Sequence, residues 1–139
     1  MPSNVKAAFR RELNLASAAE MAGDYALAKR HLERGHILGQ QSYLTHMESH
    51  YRMFRLARKL SDAKEARGQL VRLIGAGPFH LAGWVPIGNT GGADVSPTLP
   101  MPIPADIQPY FEGFSLRKGL VVRGVLLVAL LTAFLLFYP

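Results

Sequence analysis

The sequence predicts an all-α fold: two antiparallel helical hairpins, a Pro/Gly-rich extended segment and one C-terminal transmembrane helix. Three observations carry this expectation. Apolar residues recur at spacings of three and four over four successive stretches, the last ending near Ile74. The composition then changes, and Pro97, Pro100, Pro102, Pro104 and Pro109 favour extended, polyproline-like backbone. Finally, Gly119–Tyr138 is almost wholly apolar over the ~20 residues that a bilayer core requires. The implied organisation is a four-helix hairpin domain over 1–76, an extended arm over 77–118 and a transmembrane helix over 119–139.

The first helix is expected to start at a Ser3 or Asn4 cap and to run to about Ala22. Val5, Ala8, Phe9, Leu13, Ala16 and Ala19 line its buried stripe. Gly23 supplies the left-handed residue that closes it, and Asp24 caps the next helix. That second helix, Tyr25–Leu38, places Ala28, Leu32, Gly35 and His36 on one face. Glycine in mid-helix costs ~1 kcal/mol against alanine, so Gly35 signals a close approach of a neighbouring helix. Gly39 ends the second helix. Thr45-His46-Met47-Glu48 fits a capping box for a third helix running to about Leu60, with Tyr43, Met47, His50, Phe54 and Ala57 as its stripe. Asp62 and Glu65 resemble a second capping box, opening a fourth helix over Ala63–Ile74 whose apolar positions are Ala63, Ala66, Leu70, Leu73 and Ile74. The run Gly75-Ala76-Gly77-Pro78 is expected to stop it. The arm that follows interleaves Trp84, Ile87, Leu99, Met101 and Ile103 with its prolines and glycines. It is too apolar for a solvated linker and is expected to wrap the helical core or to lie at a membrane surface.

In the terminal segment Arg123 lies one turn inside and can snorkel to the head groups. Leu127, Leu131 and Phe134 face lipid, and Tyr138 suits the far interface. Arg117, Lys118 and Arg123 all flank the N-terminal side. They predict a single-pass protein of a bacterial inner membrane with its N-terminal domain in the cytoplasm.

The 139-residue chain holds no cysteine, which excludes disulfides, thiolate metal sites and a Cys nucleophile. Its formal charge of +6 suits an anionic surface or an acidic partner. Arg52, Arg55 and Lys59 recur at helical spacing as a candidate face for lipid or partner, and a solvated helix face is the plainer alternative. No nucleic-acid module is present, which argues against that class of partner.

Chemistry concentrates at the histidines. Glu33 and His36 share a helix face at a Glu-x-x-His spacing, and His46 and His50 are four apart on the next helix. If the helices pack as a hairpin, the three imidazoles converge. With Glu33 they form a candidate site for Zn, Cu or Fe. Glu12 or Glu20 on the first helix is a candidate further ligand. The structural alternative is that each histidine bonds a backbone carbonyl near the helix turn. No complete catalytic set is visible, so the sequence leans away from an enzyme.

Two resemblances add to this. Gly23-Asp24-Tyr25-Ala26-Leu27-Ala28-Lys29-Arg30-His31-Leu32-Glu33-Arg34-Gly35 resembles the middle of a tetratricopeptide repeat, where small and large residues alternate to pack two helices. Phe9–Leu13, His31–Gln40, His46 with His50, Gly88-Asn89-Thr90-Gly91 and Met101-Pro102-Ile103-Pro104 are similar to a family of short bacterial proteins, domain of unknown function 3703. That resemblance implies a shared core and no assigned chemistry. The first functional expectation is therefore an accessory subunit, anchored in the bilayer and stabilising other subunits of a membrane protein complex. The second is a histidine-based metal-binding protein.

Overall fold

The computed structural model describes residues 1–115 (the Leu81 side chain excepted) and, beyond them, Val121, Gly124, Val125, Val128, Leu131, Thr132, Phe134 and Phe137. Four helices follow one another: α1 Ser3–Met21, α2 Tyr25–Gly39, α3 Tyr43–Lys59 and α4 Ala63–Leu81, with a 3₁₀ turn at Gln108–Phe111. No strand occurs among the described residues.

Each helix packs on the next, α1 on α2, α2 on α3 and α3 on α4. Two ion pairs fix the relation of α1 to α3. Arg10 meets Glu48 at 2.6 Å near the start of both helices, and Glu20 meets Lys59 at 2.9 Å near their ends. The two helices therefore run the same way, and α2 returns between them. Phe9, Leu13, Leu32 and Leu38 are core residues of this layer. Gly35 sits against Leu13, where an added Cβ would lie 3.3 Å from the leucine side chain. That is the close approach its mid-helix position signals.

The α1–α2 and α3–α4 turns are built alike. Asp24 and Asp62 accept from the backbone N–H groups of Leu27 and Glu65, both at 2.9 Å. Before each cap stands a left-handed residue, Gly23 at φ 80° and Ser61 at φ 56°. Other expected ends differ. Neither Ser3 nor Asn4 caps α1; Pro2 occupies that position without a side-chain bond. Thr45 does not cap α3, because its hydroxyl donates to the Gly39 and Ser42 carbonyls while Glu48 pairs with Arg10 and Arg52. The α4 helix does not stop at Ile74 but carries Gly75, Ala76, Gly77 and Pro78 on to Leu81.

The buried stripes of α3 and α4 are also rotated from the expected ones. In α3 it runs His46, Ser49, His50, Met53, Leu56 and Ala57, with Tyr43 exposed. In α4 the buried positions include Ala66, Gln69, Ala76 and His80, whereas Leu70 and Ile74 face outward. Polar residues occupy core positions there because a polar site is buried between the helices.

After α4 the Pro/Gly-rich segment wraps back over the core. Ile107 is buried among the helices, with Ile103, Tyr110 and Phe111 packed beside it. The segment is held by glutamine side chains: Gln40 donates to the Pro86 carbonyl at 2.9 Å and accepts from the Gly88 N–H at 2.9 Å, and Gln41 donates to the Tyr110 carbonyl at 2.8 Å.

The expected transmembrane helix, and with it the single-pass inner-membrane placement, requires correction. Among the described residues no helix is long and apolar enough to cross a membrane. The long helices that are described are amphipathic. The longest helices, α1 and α4, have 19 residues each, and both carry charges along their length, Lys6, Arg10, Arg11, Glu12 and Glu20 in one and Lys64, Glu65, Arg67 and Arg72 in the other. Of the proposed anchor residues, Leu131 and Phe134 are helical and exposed. Arg123, Leu127 and Tyr138 lie outside the described residues.

Candidate metal centre

His36 is on the last turn of α2, and His46 and His50 are one turn apart on α3. All three are buried, at 2, 6 and 3 % exposure. Their Nε2 atoms form a nearly equilateral triangle, with His36–His46 at 2.9 Å, His36–His50 at 3.2 Å and His46–His50 at 3.2 Å. The α2–α3 turn makes this possible. Gly39 lies where a Cβ would be 3.0 Å from the Ser49 hydroxyl and the Thr45 carbonyl, so α3 can fold back tightly under His36.

The outer nitrogens decide where the protons are. His36 Nδ1 lies 2.9 Å from the Asn89 carbonyl, which can only accept, so Nδ1 carries the hydrogen and Nε2 a lone pair. His50 Nδ1 lies 2.7 Å from Gln69 Oε1. The Gln69 amide orientation follows from its other partners, since Nε2 donates to the Gly91 carbonyl at 2.8 Å and to Glu65 at 2.7 Å. Its oxygen therefore accepts from His50, and His50 Nε2 also carries a lone pair. His46 Nδ1 has no hydrogen-bond partner among the described residues.

Whatever proton His46 holds, the 3.2 Å edge between His36 and His50 sets one lone pair against another. Protonation is a poor remedy. Burial first, then the neighbouring histidines, pushes His36 well below its ordinary range and His46 to about 3. Burial likewise pushes His50 down to about 4, against the Gln69 hydrogen bond that raises it. The cluster is thus three neutral imidazoles aimed at one point.

A cation at that point answers the geometry. An ion ~2.0–2.1 Å from three imidazole nitrogens holds them roughly 3.3 Å apart at tetrahedral angles and roughly 2.9 Å apart at right angles. A square-planar arrangement would set two of them about 4 Å apart. The observed edges of 2.9, 3.2 and 3.2 Å fit a facial set and not the planar one.

The supports come from the wrapped segment. Asn89 donates from its amide to the Ser96 and Leu99 carbonyls and accepts from the Gly91 N–H, which fixes the loop that presents its own carbonyl to His36. Gly91 lies flat on His36, and a Cβ there would fall 2.8 Å from the ring. Beside the triangle is a cavity of about 130 Å³ with mostly apolar walls, including Val71, Ala76, Phe79 and Pro86, and with Arg72 also in its lining. A larger cavity of about 200 Å³, near Tyr25, Leu32 and Met53, contains no comparable convergence of ligand atoms.

Other candidate residues are placed elsewhere. Glu33 is not part of the cluster; it pairs with Lys29 at 3.8 Å, and burial raises its carboxyl above the ordinary range. Glu12 is buried but bonds His31 at 2.8 Å and Arg34 at 3.1 Å, and Glu20 is taken by Lys59. On the basic face, Arg52 pairs with Glu48 and Lys59 with Glu20, while Arg55 is exposed. His80 is buried with its ring 6.3 Å from that of His46. Gln40, Gln69 and Asn89 are the residues that sequence reasoning passed over. Gln40 and Asn89 lie in the runs His31–Gln40 and Gly88-Asn89-Thr90-Gly91 that carry the family resemblance, beside glycine turns, whereas Gln69 had no such signal.

A family model described as Protein of unknown function (DUF3703) matches residues 3–111, which takes in every residue of this centre. No curated protein and no solved structure matches the chain.

Proposed function

The chain belongs to the DUF3703 family of proteins of unknown function, and we propose that it is a metal-binding protein whose His36, His46 and His50 hold one divalent transition-metal ion. The observation that supports this reading is the Nε2 triangle with edges of 2.9–3.2 Å. Neutral imidazoles without a carboxylate or thiolate suit zinc, cobalt, nickel, copper and iron rather than magnesium or calcium. The facial arrangement favours zinc(II), which takes tetrahedral sites readily, over a tetragonal copper(II) centre. Three protein ligands leave one position for water or a small ligand, and the adjoining cavity gives it room.

The residues around the triangle have defined parts. Asn89 and Gln69 hold His36 and His50 in the tautomer that points a lone pair inward. Glu65 in turn holds the Gln69 amide and accepts from the Ala93 N–H at 2.9 Å, which ties the loop to α4.

Elemental analysis of the purified full-length protein tests the reading. About one equivalent of zinc is expected, and near none in a His46→Ala/His50→Ala variant whose helical circular dichroism is kept. A folded wild-type protein that takes up no zinc or cobalt, even after incubation with excess ion, would refute it.

A further inference from the structure

Resting on that metal-binding reading, we propose that the open side of the histidine centre is a binding site for a small anion, held between the ion and the Arg72 guanidinium. The cavity beside the triangle is lined by the three histidines, Arg72 and mainly apolar residues, with no aspartate or glutamate among them. A divalent ion on neutral ligands keeps its full charge, and Arg72 adds another. Nothing in the lining balances either.

Arg72 is not spent on an ion pair. Its guanidinium donates to the Gly92 and Val95 carbonyls, both at 2.8 Å, and to the Gly68 carbonyl at 3.4 Å. Among the described residues no carboxylate lies within ion-pair distance of it. Three carbonyls orient the group but bring no formal charge to pair with it. Half-burial makes that charge costly and lowers its affinity for its proton, an effect that the more distant Glu65 and Asp94 offset only in part. An anion bridging ion and guanidinium would answer both charges.

Size narrows the class. A water takes ~30 Å³ of liquid, so a cavity of about 130 Å³ admits an anion of three to five heavy atoms. Carboxylates, bicarbonate and phosphate share the required chemistry, an oxygen for the ion and a second for the arginine.

Cobalt(II)-loaded full-length protein tests this, with azide as the spectroscopic probe and phosphate as competitor. Azide should shift the visible bands saturably, and phosphate should reverse the shift. Arg72→Met should weaken azide at least tenfold at unchanged cobalt stoichiometry. Because Arg72 also holds loop carbonyls, Val71→Glu provides a second variant. Val71 lines the cavity, is 69 % exposed and loses little packing, and a carboxylate there should weaken azide by a similar factor. Full cobalt loading with no azide response, or with an affinity that neither variant moves, would overturn the anion site and leave the metal reading standing. Failure to load cobalt would overturn both.

Discussion

Gln69 Oε1 accepts from His50 Nδ1 at 2.7 Å, and the Gln69 amide can face only one way, because its nitrogen is taken by Gly91 and Glu65. A side chain 0 % exposed on α4 therefore sets the tautomer of a histidine on α3. Gln69→Leu removes that constraint with little change of volume. It should weaken metal affinity by ~10–100-fold, the usual effect of losing an outer partner of a metal-bound histidine. Competition with a chelator of known affinity reads this directly. An unchanged affinity would mean that Gln69 acts only as packing.

Gly91→Ala should harm the centre through sterics alone. The new Cβ would fall 2.8 Å from the His36 ring at a backbone φ of 81°. Both stability and metal affinity should drop, stability by ~1–3 kcal/mol. Gly113 is the matched control, at φ 71° with open space around it. Gly113→Ala should show the backbone cost of ~1 kcal/mol and leave metal binding as it was. Urea titrations with and without zinc separate the two.

Acid should unfold the metal-free protein early. An unfolded chain takes up protons on its histidines near pH 6.5, whereas folded His46 and His50 resist until about 3 and about 4, and His36 also resists. The unfolded state thus binds more protons through this window. The stability these groups contribute is complete above pH 6.5 and declines as pH falls through 6.5 towards 4 and then 3. A metal-free midpoint temperature that stays flat from pH 7 to 4.5 would contradict the buried neutral cluster.

Glu12→Ala should cost ~1–3 kcal/mol, since it takes the 2.8 Å partner from His31 and leaves Arg34 paired with Asp106 alone. It should leave metal stoichiometry at one in the protein that remains folded. Loss of metal in folded Glu12→Ala would bring α1 into the site, against the present geometry.

Ser61→Gly should stabilise the protein by ~0.5–1 kcal/mol. Ser61 holds φ 56° in a turn where its counterpart is Gly23. Thermal unfolding at constant metal load measures it; a lower midpoint would show that the serine side chain matters there.

The helical class and the first two helices were legible because their apolar periodicity is unbroken and an aspartate, Asp24, caps the second. The meeting of His36 with His46 and His50 was legible for the same reason: a Gly39 turn and a spacing of four leave the imidazoles little choice. The α3 and α4 faces were not. Hydropathy selects Tyr43, Leu70 and Ile74 for the core, but the site takes that side, and Ser49 and Gln69 join the expected His50 there instead. Contacts such as Asn89 to His36 span 53 residues and leave no local trace. Glu33 was drawn in by helical spacing, which says that two side chains share a face and nothing about where each one ends. The terminal apolar run was read by hydropathy alone, and among the described residues no helix meets the length and apolarity that reading required.

The three ligands and their props come from α2, α3, α4 and the loop at Asn89, which are otherwise joined by packing and by hydrogen bonds such as Gln40 to Pro86 and Arg72 to Gly92. In a chain with no cysteine, an ion at this junction would serve as a removable staple. Its strength would vary with supply: free ion at a hundred times its dissociation constant adds ~2.7 kcal/mol to the folded state. The lifetime of the protein against proteases would then track the metal available to it, and starvation for that metal would clear the molecule as well as empty it.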